Sequence, residues 1–215
     1  MTFDVVIFDW DGTLVDSVDH IAESLERAAR ELGFPVRTRE ELRHIVGLGM
    51  HEALEFLYPG ITHEEITSLR ECYAGYFFTR DTTPKDLFPG TLEVLQELRR
   101  SDRRMAVATG KSRPGLDRGL LSSGIGPYFD ITRCANETAS KPDPLMLREI
   151  LEATGADPER SVMVGDTIYD MEMAWSVGMP AIGVSWGVHS HQQLREHQPF
   201  EIVSDRAALR ELLLS

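Results

Sequence analysis

A chain of 215 residues, 42% hydrophobic and 27% charged, can bury a substantial core and has room for one domain plus a smaller one. Its formal net charge of -13 argues against a general affinity for nucleic acid or for anionic membrane surfaces, so an anionic ligand must be held by local cations. Two distant cysteines, Cys72 and Cys134, offer neither a disulfide framework nor a zinc-like spacing, which predicts a reduced, cytoplasmic setting.

The N-terminal stretch MTFDVVIFDW carries an acid at Asp4 and no basic leader, so no secretory signal is expected. Nowhere do some eighteen apolar residues run together, so no membrane span is expected either. Phe3, Val5, Val6, Ile7 and Phe8 form a near-continuous apolar run, the pattern of a parallel strand covered on both faces. It leads into FDWDGTLVDS, which places Asp9, Asp11 and Asp16 close together beside that run. Burying like charges side by side is costly unless a cation or a proton offsets the repulsion. Asp9 falls where the strand should finish, the end at which open parallel sheets bind ligands. Asp9 and Asp11 are two apart, which in extended chain directs both side chains to one side, and Gly12 then lets the backbone turn sharply. Two carboxylates on one side suit a hard divalent cation such as magnesium. Asp16 with Ser17 also reads as a cap for the next helix.

From about Ser17 to Pro84 the chain reads as helical throughout, far longer than a strand-to-helix connection needs, and so as an inserted domain. Candidate helices are SVDHIAESLERAAREL, TREELRHIV, GMHEALEFLY and THEEITSLRECYAGYFF; Ile21, Leu25, Ala28, Ala29 and Leu32 follow helical spacing, which suits a small bundle. Beyond it, the apolar runs RRMAVAT, YFDITRC, SVMVG, PAIGVS and FEIVS alternate with helix candidates. One carries Leu92, Leu95 and Leu98 on one side, one is capped by Ser112 and stops at Gly124, and one is capped by Asp143 with Pro144 at its first position. That alternation predicts an open α/β sheet.

Three more strand ends carry chemistry. In VATGK, the Thr109 hydroxyl and nearby amides could bind phosphoryl oxygens, although a threonine there also serves as a turn residue. In ASKPDP, Lys141 could offset charge on a phosphoryl group and an aspartate, or stand solvated at the surface. In SVMVGDTIYDM, a helical turn would bring Asp166 and Asp170 toward one cation, with helix capping by Asp166 as the competing explanation.

Together these stretches resemble the haloacid dehalogenase superfamily: FDWDGTLVDS its first motif, Thr109 its second, Lys141 its third and GDTIYD its fourth, in the family's order and over nearly the whole chain. Trp10 stands where many relatives carry a smaller apolar residue, a packing variation. The insertion resembles the small helical cap of the subfamily that includes phosphoglycolate phosphatases. The resemblance implies an α/β fold with a Rossmann-like parallel sheet core over residues 1–16 and 84–215 and a small α-helical cap over 17–83. It also implies a magnesium-dependent phosphatase that hydrolyses a small phosphate monoester, with 2-phosphoglycolate the leading candidate, through an aspartyl-phosphate intermediate. Asp9 would be the nucleophile and Asp11 the general acid and base. Magnesium would be held by Asp9, the Asp11 main-chain carbonyl and Asp166, with Asp170 binding directly or through water. Gly12, Thr109, Gly110 and Lys141 would meet the phosphoryl group, and the cap's Arg43, His44 and His51, which flank the VGLGM turn, would meet the rest of the substrate.

Dehalogenases of this fold lack the second aspartate of the DxD pair, and Asp11 is present here. Sugar phosphomutase and pyrophosphatase activities remain open, as does, in another class, a silent binding protein on the same fold; against the last stand Asp9, Asp11, Thr109, Lys141, Asp166 and Asp170, all in place. The partner expected is a small phosphorylated metabolite, with no nucleic acid or membrane, and the protein a monomer or homodimer.

Overall fold

The apolar run near the N-terminus becomes β1 (Val5–Phe8), buried at every position and paired in parallel on both sides. The structure, a computed structural model, describes residues 2–215. Strands β2 (Arg104–Thr109), β3 (Ile131–Cys134), β4 (Ser161–Gly165), β5 (Ala181–Val184) and β6 (Glu201–Val203) complete a parallel sheet of order β3-β2-β1-β4-β5-β6. The chain thus walks outward from β1 to β3 and returns to β4 on the other side of β1. Such a switch point opens a crevice at the carboxyl ends of β1 and β4. The expected α/β, Rossmann-like class is the one observed.

Between β1 and β2 lie α1 (Val18–Glu31), α2 (Arg39–His44), α3 (Met50–Leu57) and α4 (His63–Phe77), which enclose a hydrophobic cluster of their own around Leu25, Leu42, Leu54 and Leu69. Thr38 with Glu41 and Thr62 with Glu65 form capping boxes that start α2 and α4. Leu32 falls past the end of α1 and is 40% exposed, so it leaves the apolar stripe expected of it. Ser17 occupies the position before α1 but does not cap it through its side chain, because its hydroxyl donates instead to Asp11 Oδ1 at 2.5 Å. Where the helical segment begins and ends, its two chain crossings lie side by side. Asp16 N–H donates to the Asp86 carbonyl (2.8 Å), Phe88 N–H donates to the Leu14 carbonyl (3.0 Å), and Val15 bridges Leu87.

Both faces of the sheet are covered. Val6 and Phe8 point into a cluster with Met105, Val107, Val162 and Val164, closed by α5 (Thr91–Arg100) and α6 (Arg113–Ser123); Val5 and Ile7 point the other way, toward Ala106, Ala108 and Met163. The second face is covered by α7 (Leu145–Thr154), α8 (Ile168–Trp175) and α9 (His191–Glu196), while α10 (Arg206–Leu214) returns to the first through Leu209 and Leu213. Trp10 is fully buried in the first cluster, against Gly119 of α6, where a side chain would begin 3.0 Å from the indole ring. Two helix details differ from expectation. In α5 the buried positions are Thr91, Val94, Leu95 and Leu98, and Leu92 is 39% exposed because it lies roughly 120° around the helix from Leu98. α7 starts at Leu145, one residue later than Pro144, although the Asp143 carboxylate still accepts the Leu145 N–H at 2.9 Å.

Candidate active site

Asp9, the residue after β1, is 1% exposed, and its Oδ1 accepts a hydrogen bond from Lys141 Nζ at 2.6 Å. Lys141, itself buried in the loop between β3 and α7, also donates to Asp170 Oδ1 at 2.7 Å. The other Asp170 oxygen accepts from the Thr167 N–H (3.1 Å) and hydroxyl (2.7 Å), so the residue that caps α8 is Thr167, with Asp170 as its capping-box partner. Capping by Asp166 is thereby replaced. The Asp166 carboxylate, at the end of β4, accepts from the Thr13 hydroxyl (2.9 Å) and from Val188 N–H (2.7 Å).

Oxygens of Asp9, Asp166 and Asp170 lie within 4.8 Å of one another, all buried. One ammonium faces three carboxylates, and Asp9 Oδ2 is buried with no hydrogen-bond partner among the described residues. Burial pushes the Asp9 carboxyl well above its ordinary value; Lys141 opposes the shift, and Asp170 and Asp166 add to it. Burial, followed by the Asp170 charge, raises Asp166 to about 7. For Lys141 burial works against the charge, but Asp170 and Asp9 outweigh it and raise its pKa. A hard cation fits this donor set: buried oxygen ligands whose negative charge exceeds that of the one ammonium. Each Asp166 oxygen accepts one hydrogen bond, from Thr13 or from Val188, and both Asp170 oxygens are engaged by Lys141 and Thr167.

The Asp11 side chain leaves that cluster. Lys111 Nζ donates to both its oxygens (2.9 and 3.0 Å) and lies over the Phe77 ring, and Ser17 holds Oδ1. Gly12, at φ +81°, packs its bare Cα against the Asp166 carboxylate, where any side chain would collide. It does not line the cavity as expected, since its N–H is taken by the Val15 carbonyl at 2.9 Å.

That cavity, about 130 Å³, lies between the sheet ends and the helical insertion. Asp9, Asp11, Thr109, Gly110 and Lys111 form its floor, and the N-terminus of α6 opens onto it at Ser112, a favourable place for an anion. The insertion seats its Gly47-Leu48 turn directly on Gly110, where a side chain would strike both turn carbonyls; Gly49 N–H donates to Ser140 Oγ at 2.7 Å. Gly110→Ala should therefore keep the turn from seating. The expected result is a fall in kcat/KM on the order of 10- to 100-fold with thermal stability little changed, checked by steady-state kinetics and melting. Wild-type kcat/KM would show that the turn is not seated during turnover.

Arg43, His44 and His51 do not line the cavity. Arg43 pairs with Asp19 on the surface, and His51 faces Glu55 at 3.4 Å on the outer side of α3. His44 points into a separate cleft, against Tyr169 and His189. The turn itself faces the floor; the side chains beside it follow the helix periods of α2 and α3 outward. His189 is buried, its Nδ1 accepts the Ile168 N–H (3.0 Å), and burial with His44 nearby lowers its pKa to about 4. It is therefore neutral, its proton sits on Nε2, and it donates to His44 Nδ1 at 3.0 Å, tying the insertion to the loop after β5. The insertion's cation at the cavity is Arg70 of α4, which the reading of the sequence missed. Arg70, Tyr73, Ala74 and Phe77 line it at i, i+3, i+4 and i+7, a helical stripe that was the available signal.

The family model described as haloacid dehalogenase-like hydrolase matches residues 6–184. Among curated relatives, Probable phosphatase IndB of Dickeya dadantii is 36% identical over 203 residues, 93% of this chain and 88% of its own. A phosphoglycolate phosphatase of Agrobacterium fabrum is 30% identical over 210 residues, 95% of this chain and 90% of its own. Among solved structures, one described as a haloacid dehalogenase-like hydrolase from Bacteroides fragilis superimposes with a TM-score of 0.88 at 25% identity, covering 97% of this chain and 100% of that one.

Proposed function

The chain belongs to the haloacid dehalogenase-like hydrolases, and from that premise we propose that it is a magnesium-dependent phosphatase that hydrolyses a small phosphate monoester through an aspartyl-phosphate intermediate. The observation that carries this reading is Asp9 Oδ2, a buried carboxylate oxygen without a partner, on a residue that lines the cavity. Asp9 attacks phosphorus, and the bond to the leaving oxygen breaks as Asp11 gives that oxygen a proton. Asp11 then takes a proton from water, which attacks the same phosphorus, frees phosphate and restores the Asp9 carboxylate. Lys141 holds the other Asp9 oxygen, which fixes the attacking one in place. The Thr109 hydroxyl, Gly110 and the N-terminus of α6 offer the phosphoryl oxygens donors and a favourable dipole. Magnesium would be held by Asp9, the Asp11 main-chain carbonyl and Asp166, with Asp170 binding directly or through water, and would supply charge neutralisation for the phosphoryl group.

In this reading residues 17–83 are the cap and residues 1–16 and 84–215 the catalytic core; Met1 lies outside the described residues. 2-Phosphoglycolate is one of the small esters the resemblance suggests. The protein works on a small phosphorylated metabolite in the cytoplasm, a setting in keeping with two unpaired cysteines. No helix among the described residues is long and apolar enough to cross a membrane.

Metal dependence tests the reading. An unfolded aspartate titrates near 3.8 and folded Asp166 near 7, so between those values the metal-free folded protein holds a proton that the unfolded chain has released. Metal-free stability therefore falls as pH rises through that window, and cation affinity rises. Below pH 7 the magnesium dissociation constant should weaken about tenfold per pH unit for each proton displaced, measured by calorimetry. Phosphate release should stop with a chelator and return with magnesium. Full activity after exhaustive metal removal would overturn the assignment.

A further inference from the structure

We propose that the preferred substrate is the phosphate ester of an alcohol with an apolar body and a carboxylate at its far end, and that Arg70 selects it; the inference rests on the phosphatase reading above. The floor of the cavity is polar, but the wall facing it is apolar apart from the Tyr73 hydroxyl. Ile45, Leu48, Met50, Tyr73 and Phe77 stand opposite Asp9. Sugar hydroxyls or the outer oxygens of pyrophosphate would lose water against that wall without gaining partners, whereas a ring or branched chain gains by burial. Two cationic side chains line the cavity, and they differ in availability. Lys111 is committed to both oxygens of Asp11. Arg70 pairs with no carboxylate among the described residues.

Asp9 is buried, while Arg70 is exposed, so Arg70 marks the mouth and Asp9 the closed end, with the apolar wall between. In 2-phosphoglycolate the carboxylate is one carbon from the ester oxygen and stays at the closed end, away from Arg70. A carboxylate carried past a ring-sized apolar segment reaches the mouth, where a guanidinium can take both its oxygens.

The test compares kcat/KM for 4-(carboxymethyl)benzyl phosphate, benzyl phosphate, 2-phosphoglycolate and glucose 6-phosphate, all esters of aliphatic alcohols, in wild type and Arg70→Gln. The carboxylate-bearing benzyl ester should exceed both 2-phosphoglycolate and glucose 6-phosphate by at least about tenfold, and Arg70→Gln should lower its kcat/KM about tenfold more than that of benzyl phosphate. Preference for 2-phosphoglycolate or glucose 6-phosphate over the benzyl esters overturns the inference and leaves the phosphatase reading standing. An equal loss, or none, on the two benzyl esters in Arg70→Gln overturns the role given to Arg70. Hydrolysis of none of the four overturns the phosphatase reading, and the inference with it.

Discussion

Asp9→Asn will lose turnover by a factor on the order of 10⁴ or more while its metal-free form melts at a higher temperature than wild type. The two effects share one cause. In the proposed mechanism the oxygen that attacks phosphorus is the one left without a hydrogen bond among the described residues, inside a cluster whose burial and negative neighbours already press the Asp9 carboxyl toward its neutral form. An amide keeps the shape and lets the carbonyl oxygen accept from Lys141, but it is a poor nucleophile. It also removes a buried like charge from the cluster with Asp166 and Asp170. In a chain of this length each kcal/mol so recovered raises the melting temperature by roughly 2–4 °C. Calorimetric melting beside a phosphate-release assay checks both halves. Near-normal turnover would remove Asp9 from the chemistry, and an unchanged melting temperature would mean that the cluster is not electrostatically strained without metal.

Lys141→Met will be the most destabilising single change at the site, by about 3–5 kcal/mol at neutral pH. Lys141 is fully buried and is the cation that contacts Asp9 and Asp170, and methionine fills the same space while leaving both carboxylates without a counter-charge. The pH dependence identifies the mechanism. Folded carboxyls raised above the unfolded value bind protons that the unfolded chain gives up, so the variant's deficit should shrink as pH falls from about 8 toward 5. Urea unfolding at several pH values measures it. A deficit independent of pH would point to lost packing instead.

The acidic and cationic side chains at strand ends were legible because they break an apolar pattern at a fixed place, the carboxyl edge of a parallel sheet. Asp9, Lys141, Asp166 and Asp170 need only the strand order to meet, and the alternation of strands and helices carries that order. The substrate-facing side of the insertion was not legible in the same way. Arg43, His44 and His51 stand beside the turn that reaches the site, but where a helix side chain points depends on how the whole bundle docks, and the residue that reaches the cavity, Arg70, lies two helices further on. Likewise the commitment of Lys111 to Asp11 and the contact between His44 and His189 join residues far apart in sequence, through pairing of strands and closure of the insertion that no local spacing encodes.

The side-by-side crossings at Leu14–Asp16 and Asp86–Phe88 bear on how such a chain can change over time. Because these paired crossings already bring the ends of the insertion together, the entropy of closing that loop depends only weakly on what lies inside: doubling its length costs about 0.6 kcal/mol. A longer, shorter or differently folded insert would leave the sheet and its four motif loops nearly as stable as before. On the proposed reading, the part that makes and breaks bonds to phosphorus and the part that chooses the alcohol are thus thermodynamically separable modules, and a new leaving group can be accommodated by remodelling the second while the first stays fixed.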